Sequence, residues 1–327
     1  MNFKEVIGHD AIINSLMRMI EQREIGHLFL FSGNSGVGKK YIANIFAKAL
    51  LCPSKVERPC GNCPSCYKFS NHTHPDLFYV KPENNLIRKE TISNLIENAN
   101  VRPYESELKV FIIDHADLMN KEAQNAFLKT LEEPPSYLKI ILLSSNPKRL
   151  LPTILSRCQL YKFFPLDNFK IIEYLSKNYN INGEKASFIA DFSKGSIGRA
   201  VKLIEDENFN AIRDKSLNIL DNVIKGGMAS FVNNQEFFEN NKDYMNTIVE
   251  IYELWASDLY RYTLLKEDAQ IINRDKIDIL KTQSFLSLNN IDKILNSIND
   301  FSKKLEGNSN FMLNLELMFL NILEECN

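Results

Sequence analysis

His27-Leu28-Phe29-Leu30-Phe31-Ser32-Gly33-Asn34-Ser35-Gly36-Val37-Gly38-Lys39-Lys40 is the stretch that decides the fold of this chain. Its first six residues form a short, nearly continuous apolar run, as expected of a strand buried on both faces of a parallel sheet. From Gly33 onward it follows the phosphate-loop (Walker A) pattern G-x-x-x-x-G-K-[ST], and Tyr41 to Leu51 resumes helical periodicity. Strand, glycine loop and helix in that order give the pattern its meaning. The loop amides and the helix N-terminus then converge on one point, where phosphate oxygens bind. Gly33, Gly36, Gly38 and Lys39 keep those parts. At the last position Lys40 replaces the hydroxyl that ligates magnesium, and an ammonium has no lone pair to give a metal. The expectation is a nucleotide-binding loop, for ATP or ADP or kept only for its fold, in which magnesium-assisted hydrolysis is impaired.

The same alternation continues on both sides. Ile12, Ile13, Leu16, Met19 and Ile20 predict a helix over 11–23 before the loop. Beyond it, strands are expected at 76–80, 109–114 and 139–144, with helices at 89–100 and 121–132, the latter stopped by Pro134-Pro135. This reads as a parallel α/β sheet with ligands at the C-terminal ends of its strands. After Pro165 the strand signals fade. A small helical unit follows to about 205, with Gly195-Ser196-Ile197-Gly198-Arg199 opening its last helix. Long helices are then expected at 214–224, 243–266, 286–304 and 310–325, with the asparagine pairs at 233–234, 240–241 and 289–290 read as helix ends and loops. The resulting division is 1–164, 165–207 and 208–327.

The 327 residues allow two or three domains, and 44% apolar with 24% charged residues is ordinary for a globular chain. A net charge of −2 argues against tight stand-alone binding of nucleic acid, which depends on Lys and Arg neutralising phosphates. Met1-Asn2-Phe3-Lys4-Glu5 lacks a basic segment followed by an apolar run, and no apolar stretch reaches membrane-spanning length. The expectation is a cytoplasmic protein with no membrane contact, in a compartment that keeps thiols reduced.

Four of the six cysteines nevertheless crowd together: Cys52, Cys60, Cys63 and Cys66, spaced C-x₇-C-x₂-C-x₂-C. Four thiolates suit a closed tetrahedral zinc site of structural type, with His72 and His74 as alternative ligands nearby. Phe111-Ile112-Ile113-Asp114 has the apolar strand and terminal aspartate that accompany a phosphate loop, but His115 follows where a water-polarising glutamate is usual. Asp117 is the acid that could substitute, although its displacement along the chain changes the side-chain direction.

Gln124-Asn125-Ala126-Phe127-Leu128-Lys129-Thr130-Leu131-Glu132-Glu133-Pro134-Pro135 is the most distinctive run. It resembles the helix and proline stop of the bacterial clamp-loader subunits, an AAA+ family that also includes eukaryotic replication factor C. The resemblance extends from Val6-Ile7-Gly8-His9 to Gly195-Ser196 and takes in the cysteine insertion. It implies a small helical lid after the nucleotide-binding module and an all-α C-terminal collar. Within that family Ser156-Arg157-Cys158 is similar to the motif whose arginine enters the ATP site of the adjacent subunit. Such a finger contributes ~10³–10⁵ in rate. Ser145, beside Ser144 and Asn146, falls where the family keeps a polar γ-phosphate sensor. Arg199 lies near the second sensor position, where a helix-capping segment with an ordinary surface arginine fits as well.

The motor members, gamma and tau, carry Gly-Lys-Thr and Asp-Glu, whereas this chain has Gly-Lys-Lys and Asp-His. With its length, this favours the delta-prime, non-motor branch of the family. That resemblance implies a hetero-pentamer with gamma/tau and delta subunits, acting on a sliding clamp and on primer-template DNA through the complex. Two rivals stand beside it: an active gamma/tau-type ATPase, and a DNA-binding scaffold that uses the zinc module.

Overall fold

The computed structural model describes residues 2–266, 269–305 and 310–326; Met1 and Asn327, the outer limits of the expected division, lie outside them. The chain separates into two compact units. One comprises residues 1–171 and 193–199, the other 172–192 and 200–327.

Five parallel strands build the first unit: β1 (Leu28–Ser32), β2 (Leu77–Val80), β3 (Lys109–Ile113), β4 (Leu138–Ser144) and β5 (Gln159–Lys162). Their spatial order is β2-β3-β4-β1-β5, so the chain leaves β1, crosses to the far edge at β2, and returns strand by strand. Every residue of β1, β3 and β4 is buried. Alternate residues serve opposite faces, which is why these strands read as continuous apolar runs. On one face Phe29, Phe31, Val110, Ile112, Ile141 and Leu143 pack against α1 (Asp10–Gln22) and α2 (Lys39–Leu51). On the other, Leu28, Leu30, Phe111, Ile113, Ile140 and Leu142 meet α4 (Lys89–Ala99) and α5 (Lys121–Glu132), behind the short α3 (Pro64–Ser70) in chain order. Each fully buried Leu, Ile or Phe contributes about 1.5–3 kcal/mol, so the two faces together fix the register.

In such sheets ligands bind at the C-terminal edge where the strand order reverses, which here falls between β1 and β4. The phosphate loop leaves β1 there, and Asp114 follows β3. β5 is the strand absent from the sequence expectation. It pairs with β1 at the sheet edge, and of its four residues only Tyr161 is buried, so no apolar run marks it.

The second unit is helical. From within α7 (Asn168–Tyr179), which follows the short α6 (Pro152–Leu155) of the first unit, the chain continues through α8 (Gly183–Phe192), α9 (Ile197–Glu205, which starts in the first unit), α10 (Phe209–Ile224), α11 (Met228–Val232), α12 (Gln235–Asn240), α13 (Met245–Leu265), α14 (Ile277–Thr282), α15 (Leu288–Leu305) and α16 (Phe311–Glu324). The three shortest lie below the length at which periodicity is readable. Helix α10 starts at Phe209, earlier than expected, because that ring packs on Phe188 and Phe192. All three asparagine pairs lie at helix ends, Asn289 and Asn290 within the first turn of α15. Tyr252 and Trp255 are core residues. The Trp255 indole donates to Gln283 Oε1 at 2.9 Å, and the Tyr252 hydroxyl donates to the Ser216 carbonyl at 3.1 Å. No helix among the described residues is long and apolar enough to cross a membrane.

Asp258, fully buried on α13, accepts hydrogen bonds from the amides of Ile272 (3.0 Å) and Asn273 (2.8 Å), and from Asn273 Nδ2 at 2.8 Å. Truncating it strands these donors away from water. Asp258→Ala is expected to lower the unfolding free energy of the full chain by about 3 kcal/mol, measured by denaturant titration; a loss within experimental error would show that the 270–273 segment finds other partners.

Candidate functional site

The phosphate loop is held from below by packing that leaves no room for side chains. A Cβ on Gly36 (φ +76°) would collide with the Ser196 hydroxyl, and one on Gly33 with the Phe163 carbonyl. Gly198 donates its amide to the Gly36 carbonyl at 3.3 Å, and Ser196 Oγ accepts from the Arg199 amide at 3.1 Å, capping α9. Glycine at these positions follows from close approach as well as from backbone angle. His9 adds a contact from outside the loop. Its Nε2 bonds the Val37 carbonyl at 2.8 Å, and its ring packs on Phe163. Burial lowers its pKa below the ordinary 6.5, so the neutral ring serves as a donor to the loop. Its only sequence signal is its place in Val6-Ile7-Gly8-His9.

Lys39 is buried and bonds the carbonyls of Gly33 and, at 2.7 Å, Asn34. Desolvation lowers its pKa, with Asp117 and Asp114 pulling the other way. Lys40 points elsewhere. Its Nζ lies 3.2 Å from Asp114 Oδ2, and the same oxygen accepts from the Tyr79 hydroxyl at 3.0 Å. Burial first, and Asp114 second, raise the Tyr79 pKa, so the phenol keeps its proton and remains a donor. His115 takes a left-handed backbone conformation, with its ring nitrogen 4.0 Å from Asp114 Oδ1. Asp117 is buried and turned toward β4, where Oδ1 accepts the Ser145 amide at 3.1 Å. Ser145 itself is exposed. Ser144 Oγ is buried and has no hydrogen-bond partner.

On the opposite side of the sheet, α5 presents Ala123, Phe127 and Leu131 to the core. Gln124 uses the same helix to anchor the chain beyond β4. Its Oε1 accepts from the Leu151 amide at 2.7 Å, and its Nε2 donates to the Met119 and Arg149 carbonyls. That anchor sets the position of the next segment, where Arg157 follows the short helix α6. The Arg157 guanidinium donates to the Thr153 carbonyl at 2.6 Å and to Glu132 Oε1 at 2.8 Å, and remains about one-third exposed. Glu132 ends α5, so the two distinctive motifs of this region meet in one ion pair. The Cys158 thiol is pushed up to about 12 by burial. It donates to the Ile154 carbonyl at 3.2 Å.

The cysteines form a second centre. The sulfurs of Cys52, Cys60, Cys63 and Cys66 all lie within 4.8 Å of one another. Cys52 is 3.6 Å from Cys60 and 3.9 Å from Cys63, close to the ~3.8 Å edge of a tetrahedron with metal–sulfur bonds of about 2.3 Å. The amides of Cys60 and Cys66 point at the sulfurs of Cys52 and Cys63, at 3.5 and 3.4 Å. Amide donation, from Asn62 foremost, lowers the Cys60 thiol to about 6, while burial raises Cys66 to about 12. The donor set fits one metal ion. His74 is engaged elsewhere, with Nε2 on Ser65 Oγ at 2.9 Å and Nδ1 accepting the Asp76 amide.

Comparison with known proteins adds a common theme. A family model described as DNA polymerase III, delta subunit, matches residues 8–167. The chain is 29% identical to DNA polymerase III subunit delta' of Bacillus subtilis over 318 residues, covering 96% of this chain and 95% of that protein. It is 32% identical over 228 residues to DNA polymerase III subunit tau/gamma of Haemophilus influenzae, covering 68% of this chain but 33% of that protein. The tau subunit of Escherichia coli is likewise 32% identical over 209 residues, or 62% of this chain. The chain thus spans about a third of the length of these tau relatives.

Treatment of the full chain with a strong divalent-cation chelator is expected to release about one metal ion per molecule and to lower the unfolding temperature. Cys66→Ser is expected to cause a similar drop and to abolish the response to chelator. A melting temperature indifferent to both treatments would rule out a metal at the four cysteines.

Proposed function

This chain belongs to the bacterial DNA polymerase III clamp-loader family, and on that premise we propose that it is a delta-prime-type subunit that serves ATP hydrolysis in a neighbour rather than performing it. The observation that carries this reading is the Lys40–Asp114 ion pair. A working centre of this kind joins a loop hydroxyl and the strand aspartate through magnesium, and directs water with a further polar group. Here an ammonium meets the aspartate directly, His115 stands in the glutamate position, and Asp117 is committed to the Ser145 amide. The likeness to delta' over nearly the whole of both chains speaks for the same branch.

Arg157 is the residue that acts in this proposal. Its pairing with Glu132 is partly exposed, and such pairs are worth at most about 1 kcal/mol. Release toward a γ-phosphate of an adjoining gamma or tau subunit therefore costs little. Thr153 and the Gln124-anchored loop keep the arginine oriented while it waits. Ser145 and Arg199 are the candidate sensors for nucleotide held on Gly33, Gly36, Gly38 and Lys39. The metal at Cys52, Cys60, Cys63 and Cys66 is zinc in this reading, closed and structural, since all four positions are thiolates. The division into nucleotide-binding module 1–164, lid 165–207 and collar 208–327 belongs to the same proposal, as does assembly in the cytoplasm with gamma/tau and delta subunits to place a sliding clamp on primed DNA.

Arg157→Ala is expected to fold and assemble normally yet lower the ATPase rate of a reconstituted loader by the share of the one site it serves, the loss at that site being ~10³–10⁵. Unchanged ATPase in that complex would remove the finger role. Robust magnesium-dependent hydrolysis by the isolated chain would instead favour a gamma-type motor. Steep salt-dependent binding of DNA by the isolated chain would favour the scaffold.

A further inference from the structure

Lys40 occupies the position from which a hydroxyl normally reaches magnesium, and its side chain does not simply point into solvent. Its Nζ lies 3.2 Å from Asp114 Oδ2 and 5.1 Å from the centre of the Tyr79 ring. Tyr79 donates to the same carboxylate oxygen, and the Lys81 ammonium flanks the ring 5.5 Å from its centre. Magnesium demands six oxygen ligands at about 2.0–2.1 Å in a near-ideal octahedron. This site has lost the loop hydroxyl, its aspartate oxygen is shared by an ammonium and a phenol, and a dication arriving there meets the like charge of Lys40. The residues do not fit magnesium. They fit its electrostatic task, since a positive charge is held against the strand aspartate beside the phosphate cradle.

We propose that Lys40 replaces the magnesium ion of this loop, so that the site takes a nucleoside di- or triphosphate without a divalent cation. The proposal rests on the reading of the loop as a nucleotide cradle. It assigns distinct roles to two adjacent lysines. Lys39, buried against the loop carbonyls of Gly33 and Asn34, is the phosphate ligand common to all such loops. Lys40, half-exposed in the first turn of α2 and paired with Asp114, is the counter-ion. A lysine suits that role because its ammonium is a compact point charge on a flexible stem, with three donors for oxygen. A monocation with no open coordination position offers nothing to activate water, which agrees with a subunit that holds nucleotide and does not turn it over.

Calorimetric titration of ADP and of ATP into the full chain, with excess magnesium and again with excess EDTA, tests this directly. The expected result is binding at least as tight in EDTA as in magnesium. Lys40→Thr restores the loop hydroxyl and is expected to bind at least about tenfold tighter in magnesium than in EDTA, and Lys40→Met to bind about tenfold more weakly than wild type in EDTA. Unchanged unfolding temperatures would show that the variants remain folded, and the wild-type comparison stands without them. Tighter binding by the wild type in magnesium would overturn the proposal, and so would no binding under either condition. Neither result touches the Arg157 role, which is read from the reconstituted ATPase; hydrolysis by the isolated chain would overturn this proposal and the non-motor reading together.

Discussion

Burial of the parallel sheet on both faces is the constraint from which the rest of the first unit follows. Once β1, β3 and β4 are covered on each side, no functional side chain can sit along them, and chemistry is displaced to their C-terminal ends. The glycine loop after β1, Asp114 after β3 and Ser145 after β4 are brought together by that displacement alone. The same cores position the remaining parts. Helix α5 buries Phe127 and Leu131 and thereby presents Gln124 to the chain beyond β4 and Glu132 to Arg157.

Within this frame the candidate nucleotide site is unusual for its charge, not its shape. The cradle is intact and tightly supported by His9, Ser196 and Phe163. What differs is that Lys40 and His115 flank the strand aspartate, while the second acid, Asp117, accepts a backbone amide. Phosphate binding and hydrolysis are thus separable here. Amides and ammonium groups hold anions, but turnover also requires a metal and a directed water.

Much of this was legible in the chain because it is local. The strand–loop–helix order at 27–51, the fully buried strands and the proline stop after α5 are read from periodicity and composition over a few residues. So is the four-cysteine cluster, whose close spacing brings the sulfurs together almost regardless of what surrounds them. The edge strand β5 was not legible, since three of its four residues face outward and its partner is β1, far away in sequence. The short helices α3, α6, α11, α12 and α14 are likewise too brief to declare a period.

The sequence by itself determined that the phosphate-loop pattern ends in Lys40 instead of a hydroxyl, that His115 follows Asp114, and that four cysteines stand at metal spacing, because residue identity and near-neighbour spacing suffice for these. Only the tertiary structure decided where the altered side chains go. It sets Lys40 against Asp114, turns Asp117 to Ser145, engages His74 with Ser65 and parks Arg157 on Glu132. Each of these pairings joins residues of different elements or loops, and two polar groups find each other only after the sheet and its helices have fixed their backbones within hydrogen-bond reach.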